Sequence, residues 1–217
     1  MIPTIFERLR QAGKSFKAND NIADFLTENE LTEIQKNVEI KIRELLEALI
    51  IDVNNDHNTK DTPRRIAKML IREVCAGRYQ KMPSVTSFPN VKQLDDILMV
   101  GPIDVRSMCS HHFAPILGKA WIAVIPDKQV IGISKFARIA NWILSRPQIQ
   151  EEAAVQLADK LEELTHPKAL AVIIKASHTC MTWRGVKESQ PKMVTSVMRG
   201  LFRTDSDARA EVMGMIE

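Results

Sequence analysis

From Leu31 the chain repeats apolar residues every three or four positions: Leu31, Ile34, Val38, Ile42, Leu45, Leu46 and Leu49. That period predicts a long amphipathic helix. Thr27, with Glu30 three residues on, has the spacing of a capping box and places the helix start. Residues 56–61 are polar and read as a loop. Thr62-Pro63 then opens a second helix, with Thr62 expected as N-cap and Pro63 in the first position. Ile66, Met69, Leu70 and Val74 form its expected buried stripe, and Gly77 its stop. Residues 1–28 mix polarity without a readable period, and residues 83–89 read as a linker.

Beyond Asp95 the pattern changes. Short apolar runs at 97–100, 103–105 and 121–125 are bounded by Gly or Pro, which predicts strands. A turn at 126–128 and a short run at 131–133 lead to a helix expected to begin at Ser134. A third long helix is expected over 147–164. Residues 169–178 form the clearest strand, with 193–198 as its hairpin partner. Asp205 or Asp207 is expected to cap a last helix ending near Ile216. The order of strands and helices predicts an α+β fold with an antiparallel sheet, preceded by a helical segment over residues 1–90.

Composition narrows the class. The chain has 217 residues, 45% of them apolar, with 30 Lys+Arg against 27 Asp+Glu and a net charge of +3. This describes a globular protein, and the charge excludes wholesale nucleic-acid binding. No apolar run approaches the ~20 residues that span a bilayer, and the N-terminus has no signal-like segment. A cytoplasmic protein with no membrane partner is therefore expected. The 3 Cys are an odd number in a long chain, so a disulfide framework is not expected.

The five His matter more because His111, His112 and His178 each lie within three residues of a Cys. Cys109-Ser110-His111-His112 contains a C-x-x-H spacing that lets two side chains reach one ion. His178-Thr179-Cys180 ends the clearest strand, where positions i and i+2 project to one face. If the segments meet, thiolates and imidazoles converge, and Zn2+ accepts both. Spacing alone leaves open whether His111 or His112 is the ligand. It also leaves open buried thiols beside an ordinary loop. Three protein ligands with an open position would be the catalytic arrangement.

Other segments offer anion and base sites. Ser134, Lys135 and Arg138 open a helix, where a bound anion would complement both the cations and the helix dipole. A solvated basic turn is the plainer alternative. Arg184 adds a cation four residues after Cys180. Arg64, Arg65 and Lys68 cluster on the second helix. Gln150 and Glu151 lie at another helix start, where a carboxylate can accept two N–H donors from a guanine edge or serve as ordinary capping.

These residues together closely resemble the GTP cyclohydrolase I family. The resemblance is carried by Thr62-Pro63-Arg64-Arg65-Ile66-Ala67-Lys68-Met69, Cys109-Ser110-His111-His112-Phe113 and Gly118-Lys119-Ala120. It continues through Pro126 to Ile139, Arg146 to Glu151, and His178-Thr179-Cys180-Met181 to Val186. It covers about residues 35–217, and residues 1–30 lie outside it. It implies the tunnelling fold (T-fold), a ββααββ antiparallel sheet with helices on one face, over residues 91–217. It also implies a homo-oligomer, typically a decamer of two pentamers, with active sites between subunits.

Carried over, the resemblance makes Cys109, His112 and Cys180 the zinc ligands, and His111 and His178 the acid/base imidazoles. It gives the guanine edge to Glu151 with Gln150, and the triphosphate to Lys135, Arg138 and Arg184, with Arg65 and Lys68 joining. It puts Ser134 near the ribose. The implied reaction is hydrolytic opening of the guanine imidazole ring of GTP, release of formate and rearrangement to 7,8-dihydroneopterin triphosphate, a first step of pterin or folate-type biosynthesis. One departure is plain: the family usually has Glu where this chain has Ser110. Two other readings compete, a metal-free T-fold reductase with a Cys nucleophile and a zinc-stapled binding module.

Overall fold

A computed structural model of the chain describes residues 2–190 and 192–216. The chain divides into two compact units, Met1–Lys81 and Met82–Glu217.

The first unit opens with α1 (Ile2–Gln11), in the stretch whose polarity gave no readable period. Next comes α2 (Glu28–Ala48), and its capping box forms as the sequence predicts. Thr27 Oγ1 accepts the Glu30 N–H at 3.2 Å, and the Glu30 carboxylate accepts the Thr27 N–H at 2.9 Å. Such a cap is worth about 1 kcal/mol. Arg8 adds a two-pronged ion pair on Glu30, at 2.6 and 3.2 Å. Of the α2 stripe only Leu31 is buried, while Leu45 and Leu49 are exposed.

The second helix departs from its expected form. α3 (Thr62–Lys68) has Asp61, not Thr62, at the N-cap position, because the Arg65 N–H already bonds the Asp61 carbonyl at 3.1 Å. A π turn over Met69–Val74 follows, then α4 (Ala76–Tyr79). Ala76 and Gly77 are buried in α4, Met69 is exposed, and Pro63, Ala67, Ile71 and Cys75 are buried at four-residue intervals. A four-residue spacing drifts one way along α turns and back along the wider π turn, so these four share a face.

The second unit is built on a sheet of five strands, in the spatial order 147–148, 98–109, 115–125, 169–178 and 193–200. Its strands are β2 (Leu98–Cys109), β3 (Pro115–Ile125), β5 (Pro147–Gln148), β6 (Ala169–His178) and β7 (Met193–Gly200). All pairs are antiparallel except β2 with β5. The runs predicted at 97–100 and 103–105 belong to one strand, β2, with a register shift between Val100 and Ile103. The segment read as a linker contributes β1 (Ser87–Pro89), which pairs with β4 (Gln129–Ile131).

Helices α5 (Ile133–Leu144) and α6 (Gln150–Thr165) pack on one face of the sheet. Ile103, Val105, Ile122, Val172 and Ile174 meet Phe136, Ile139, Ile143, Leu157 and Leu161 there. Gly132 takes the N-cap position of α5, so Ser134, expected to cap it, lies inside the first turn. The helix expected from residue 147 starts at Gln150, because Pro147–Gln148 is drawn into the sheet beside β2.

Three short helices complete the unit: α7 (Thr179–Thr182), α8 (Leu201–Thr204) and α9 (Ser206–Gly214). Asp205 caps α9, accepting the N–H groups of Asp207 and Ala208 at 2.9 and 3.0 Å. Phe202 and Val212 cover Ala123, Ile125, Ala171 and Ile173 on the opposite face. Burial on both faces explains the unbroken apolar run of β6. Gly118 is required by close approach, since a Cβ there would stand 2.2 Å from the Lys175 carbonyl oxygen. No helix among the described residues is long and apolar enough to cross a membrane.

The Arg8 guanidinium, followed by the Thr27 N–H, pulls the Glu30 carboxyl from its ordinary 4.5 down to about 2. A depressed folded value means the stabilisation is complete above pH 4.5 and is lost as pH falls towards 2. Urea unfolding of wild type and Glu30→Ala is expected to give stabilities that converge over that range; a constant gap would contradict the pairing.

Candidate metal centre and active site

Cys109 is the last residue of β2, and the chain turns back at once into β3. The turn is closed by two backbone bonds, Cys109 N–H to Ala114 O at 2.8 Å and Phe113 N–H to Cys109 O at 2.9 Å. Phe113 adopts φ 51 to close it. The C-x-x-H spacing therefore sits on a tight turn, with Cys109 buried and His111 and His112 exposed at its tip. The two imidazoles stand nearly perpendicular, with ring centroids 6.4 Å apart.

The second half comes from the end of β6. His178 closes the strand, and Thr179–Thr182 turns helical, so Cys180 is not on the strand as the i, i+2 argument required. Thr179 Oγ1 donates to the Pro115 carbonyl at 2.7 Å and pins this turn beside the first one. The ligand atoms of Cys109, His112 and Cys180 lie within 4.8 Å of one another. A tetrahedral ion with bonds of about 2.3 Å to sulfur separates its ligands by about 3.8 Å, so a closure of about 1 Å suffices. Two sulfurs and an imidazole are a donor set suited to a borderline-soft divalent ion. The residues fit a metal with three protein ligands and one open position.

Around this group stand the other site residues. Arg184 Nη1 lies 3.1 Å from His112 Nε2. His178 is half-buried; burial pushes its imidazole below the ordinary value, and the charge of Glu151 partly opposes that shift. Its Nε2 lies 2.9 Å from Gln150 Oε1. Gln150 is buried, and its amide nitrogen is engaged by Ile174 O, Met193 O and Thr195 Oγ1. Its neighbour Glu151 is exposed. Ser110, the departure from the family pattern, donates its backbone N–H to Gln148 O at 3.2 Å.

Of the other cations expected at the triphosphate, Lys135 and Arg138 lie on α5, and Arg65 and Lys68 on α3. Ser134 and Arg138 are exposed on α5, and Lys135 Nζ donates to Ser84 O at 2.8 Å. Among the described residues no hydrogen bond or ion pair joins these three to the Cys/His group. Arg65 and Lys68 belong to the first unit, near Asp61 at 3.7 Å and Glu73 at 3.5 Å. An open groove of about 860 Å³ is lined by Met99, Lys119, Trp121 and Lys175, and by none of the Cys/His group.

Fold and site together define a protein of mixed α+β architecture whose Cys109, His112 and Cys180 could hold a metal ion, with further imidazoles on the same turns. The match to the GTP cyclohydrolase I family model spans residues 38–217. The GTP cyclohydrolase 1 of Caldanaerobacter subterraneus subsp. tengcongensis is 41% identical over 176 residues, covering 81% of this chain and 93% of that one. That of Streptococcus mutans is 41% identical over 183 residues, 84% and 94% of the two chains. That of Aeromonas salmonicida is 39% identical over 192 residues, 87% and 88%. The chain belongs to the GTP cyclohydrolase I family, which acts on GTP.

Burial, followed by the adjacent Cys109 thiol, raises the Cys180 thiol above its ordinary value. At neutral pH the metal-free Cys180 therefore holds a proton that a metal must displace. Uptake of a divalent ion is expected to release protons and to tighten as pH rises. Calorimetric titration in buffers of different ionisation enthalpy measures this; pH-independent uptake without proton release would contradict it.

Proposed function

We propose that Cys109, His112 and Cys180 hold one zinc ion and leave its fourth position open to water. The chain is a GTP cyclohydrolase I by family. In our reading it hydrolyses the guanine imidazole ring of GTP at C8, releases formate and rearranges the product to 7,8-dihydroneopterin triphosphate. The observation that carries this reading is the convergence of the three ligand atoms within 4.8 Å at the sheet end where His178 closes β6. Bound there, zinc supplies the Lewis acidity that makes a water nucleophilic near neutral pH.

The remaining chemistry belongs to side chains of the protein. Partly buried and neutral near pH 7, His178 can carry a proton to the opening ring nitrogen and take one back. His111, exposed beside His112, is the second imidazole of the proton relay. The Glu151 carboxylate accepts the guanine N1–H and N2 amino group, which holds the base by a paired contact. Arg184, Lys135 and Arg138 neutralise the triphosphate, with Arg65 and Lys68 contributing, and Ser134 meets the ribose. A focused group of cations suits a strongly anionic substrate on a chain of net charge +3.

Assembly of copies would bring groups from different chains to one site. Among the described residues β7 is paired only with β6, and β2 is covered on its other side only by the two residues of β5. Open edges of this length invite continuation of the sheet. We infer a homo-oligomer, a decamer of two pentamers, in which one copy's α5 cations complete another copy's metal site. Three unpaired cysteines suit a reducing compartment such as the cytoplasm.

Incubation of zinc-replete protein with GTP is expected to release formate and, after oxidation, a fluorescent pterin. His178→Ala is expected to keep zinc and lose ring opening by at least about 100-fold, while Cys180→Ala loses both. A zinc-replete wild type that leaves GTP unchanged would overturn the reading.

A further inference from the structure

Gln150 stands at the head of α6, only 3% exposed. Its amide nitrogen lies 3.1 Å from Ile174 O, 3.2 Å from Met193 O and 3.1 Å from Thr195 Oγ1. Its amide oxygen lies 2.9 Å from His178 Nε2. These contacts settle the orientation of the amide. Main-chain carbonyls only accept hydrogen bonds, so the NH2 end must face Ile174 and Met193. Turning the amide over would bury a carbonyl oxygen against two others, with the donor left to the imidazole. The oxygen therefore faces His178.

The same logic extends to the ring. An amide oxygen only accepts, so His178 Nε2 must donate. A neutral imidazole carries one N–H, and here it is on Nε2, which leaves the lone pair on Nδ1. The contacts also fix the ring in space. Ile174 lies on β6 and Thr195 opposite it on β7, so Gln150 ties the imidazole to the two strands on either side of the Thr179–Thr182 turn.

We propose that Gln150 is a positioning residue for His178: it selects the Nε2–H tautomer and so makes Nδ1 the ring atom that exchanges protons with substrate. This rests on His178 being an acid/base group of the reaction. It assigns the base edge to Glu151 alone, because both ends of the Gln150 amide are engaged by the protein. The role is that of a partner that orients a reacting imidazole through its other nitrogen, and loss of such a partner costs 10–100-fold in related settings.

The direct test is 15N NMR of sedimented, metal-loaded protein labelled at histidine, at a pH where the ring is neutral. Loss of signals in His178→Ala assigns the resonances. The expected result is a protonated, pyrrole-type Nε2 and an unprotonated, pyridine-type Nδ1; the reverse tautomer would overturn the proposal. This measurement needs no substrate, so it can fail while GTP turnover stands, and turnover can fail while it stands.

Kinetics supply the second arm. Gln150→Leu is expected to keep its zinc, hold KM for GTP within about twofold and lower kcat by about 10–100-fold. In a His178→Ala background the same change is expected to cost nothing further. A rise in KM that persists in that background would make Gln150 a base contact and overturn the proposal.

Discussion

The register of β3 is the constraint on which the site depends. Pro115 lies opposite Met108 on β2, and Ile116 lies opposite His178 on β6. One short stretch of β3 therefore places the end of β2 and the end of β6 at the same edge of the sheet. The Cys109 turn and the Cys180 turn then meet, although 70 residues separate the two thiols in sequence. A slip of one residue in either pairing would send His178 to the other face and separate the ligand atoms. That register is held by burial on both faces of β3 and β6, with α5 and α6 on one side and the C-terminal helices on the other.

The site combines groups with different degrees of fixation. Cys109 and Gln150 are buried and held by backbone and amide hydrogen bonds. His111, His112 and Arg184 are exposed on turns at the rim. A rigid floor with an accessible rim suits a reaction in which one ring must be held while a long anionic tail is received. Among the described residues no hydrogen bond or ion pair joins Ser134, Lys135 or Arg138 of α5 to the Cys/His group.

Features written in a few consecutive residues were legible in the sequence. The Thr27–Glu30 box, the apolar run of β6 and the C-x-x-H spacing each lie in one short stretch of chain. The errors came where distant partners decide. Ser134 looks like a cap, but Gly132 already holds the Lys135 N–H at 2.8 Å. Cys180 reads as a strand residue, yet the Thr179 hydroxyl on Pro115 turns the chain helical. Pro147–Gln148 reads as helix because its pairing with Met108 and Cys109 is 39 residues away in sequence. The contacts of Gln150 with β6 and β7, at sequence separations of 24, 43 and 45, could not be read from its neighbours either. The tight turn that presents His112, closed by Phe113 at φ 51, had no marker in the sequence.

The central claim is an open, three-ligand zinc site at the edge fixed by β3. X-ray absorption at the zinc edge tests it most directly. The account predicts two sulfur ligands at about 2.3 Å and two nitrogen or oxygen ligands at about 2.0–2.1 Å, one of the latter exchangeable with solvent or substrate. A closed shell of four non-exchanging protein ligands, or a shell without two sulfurs, would contradict it.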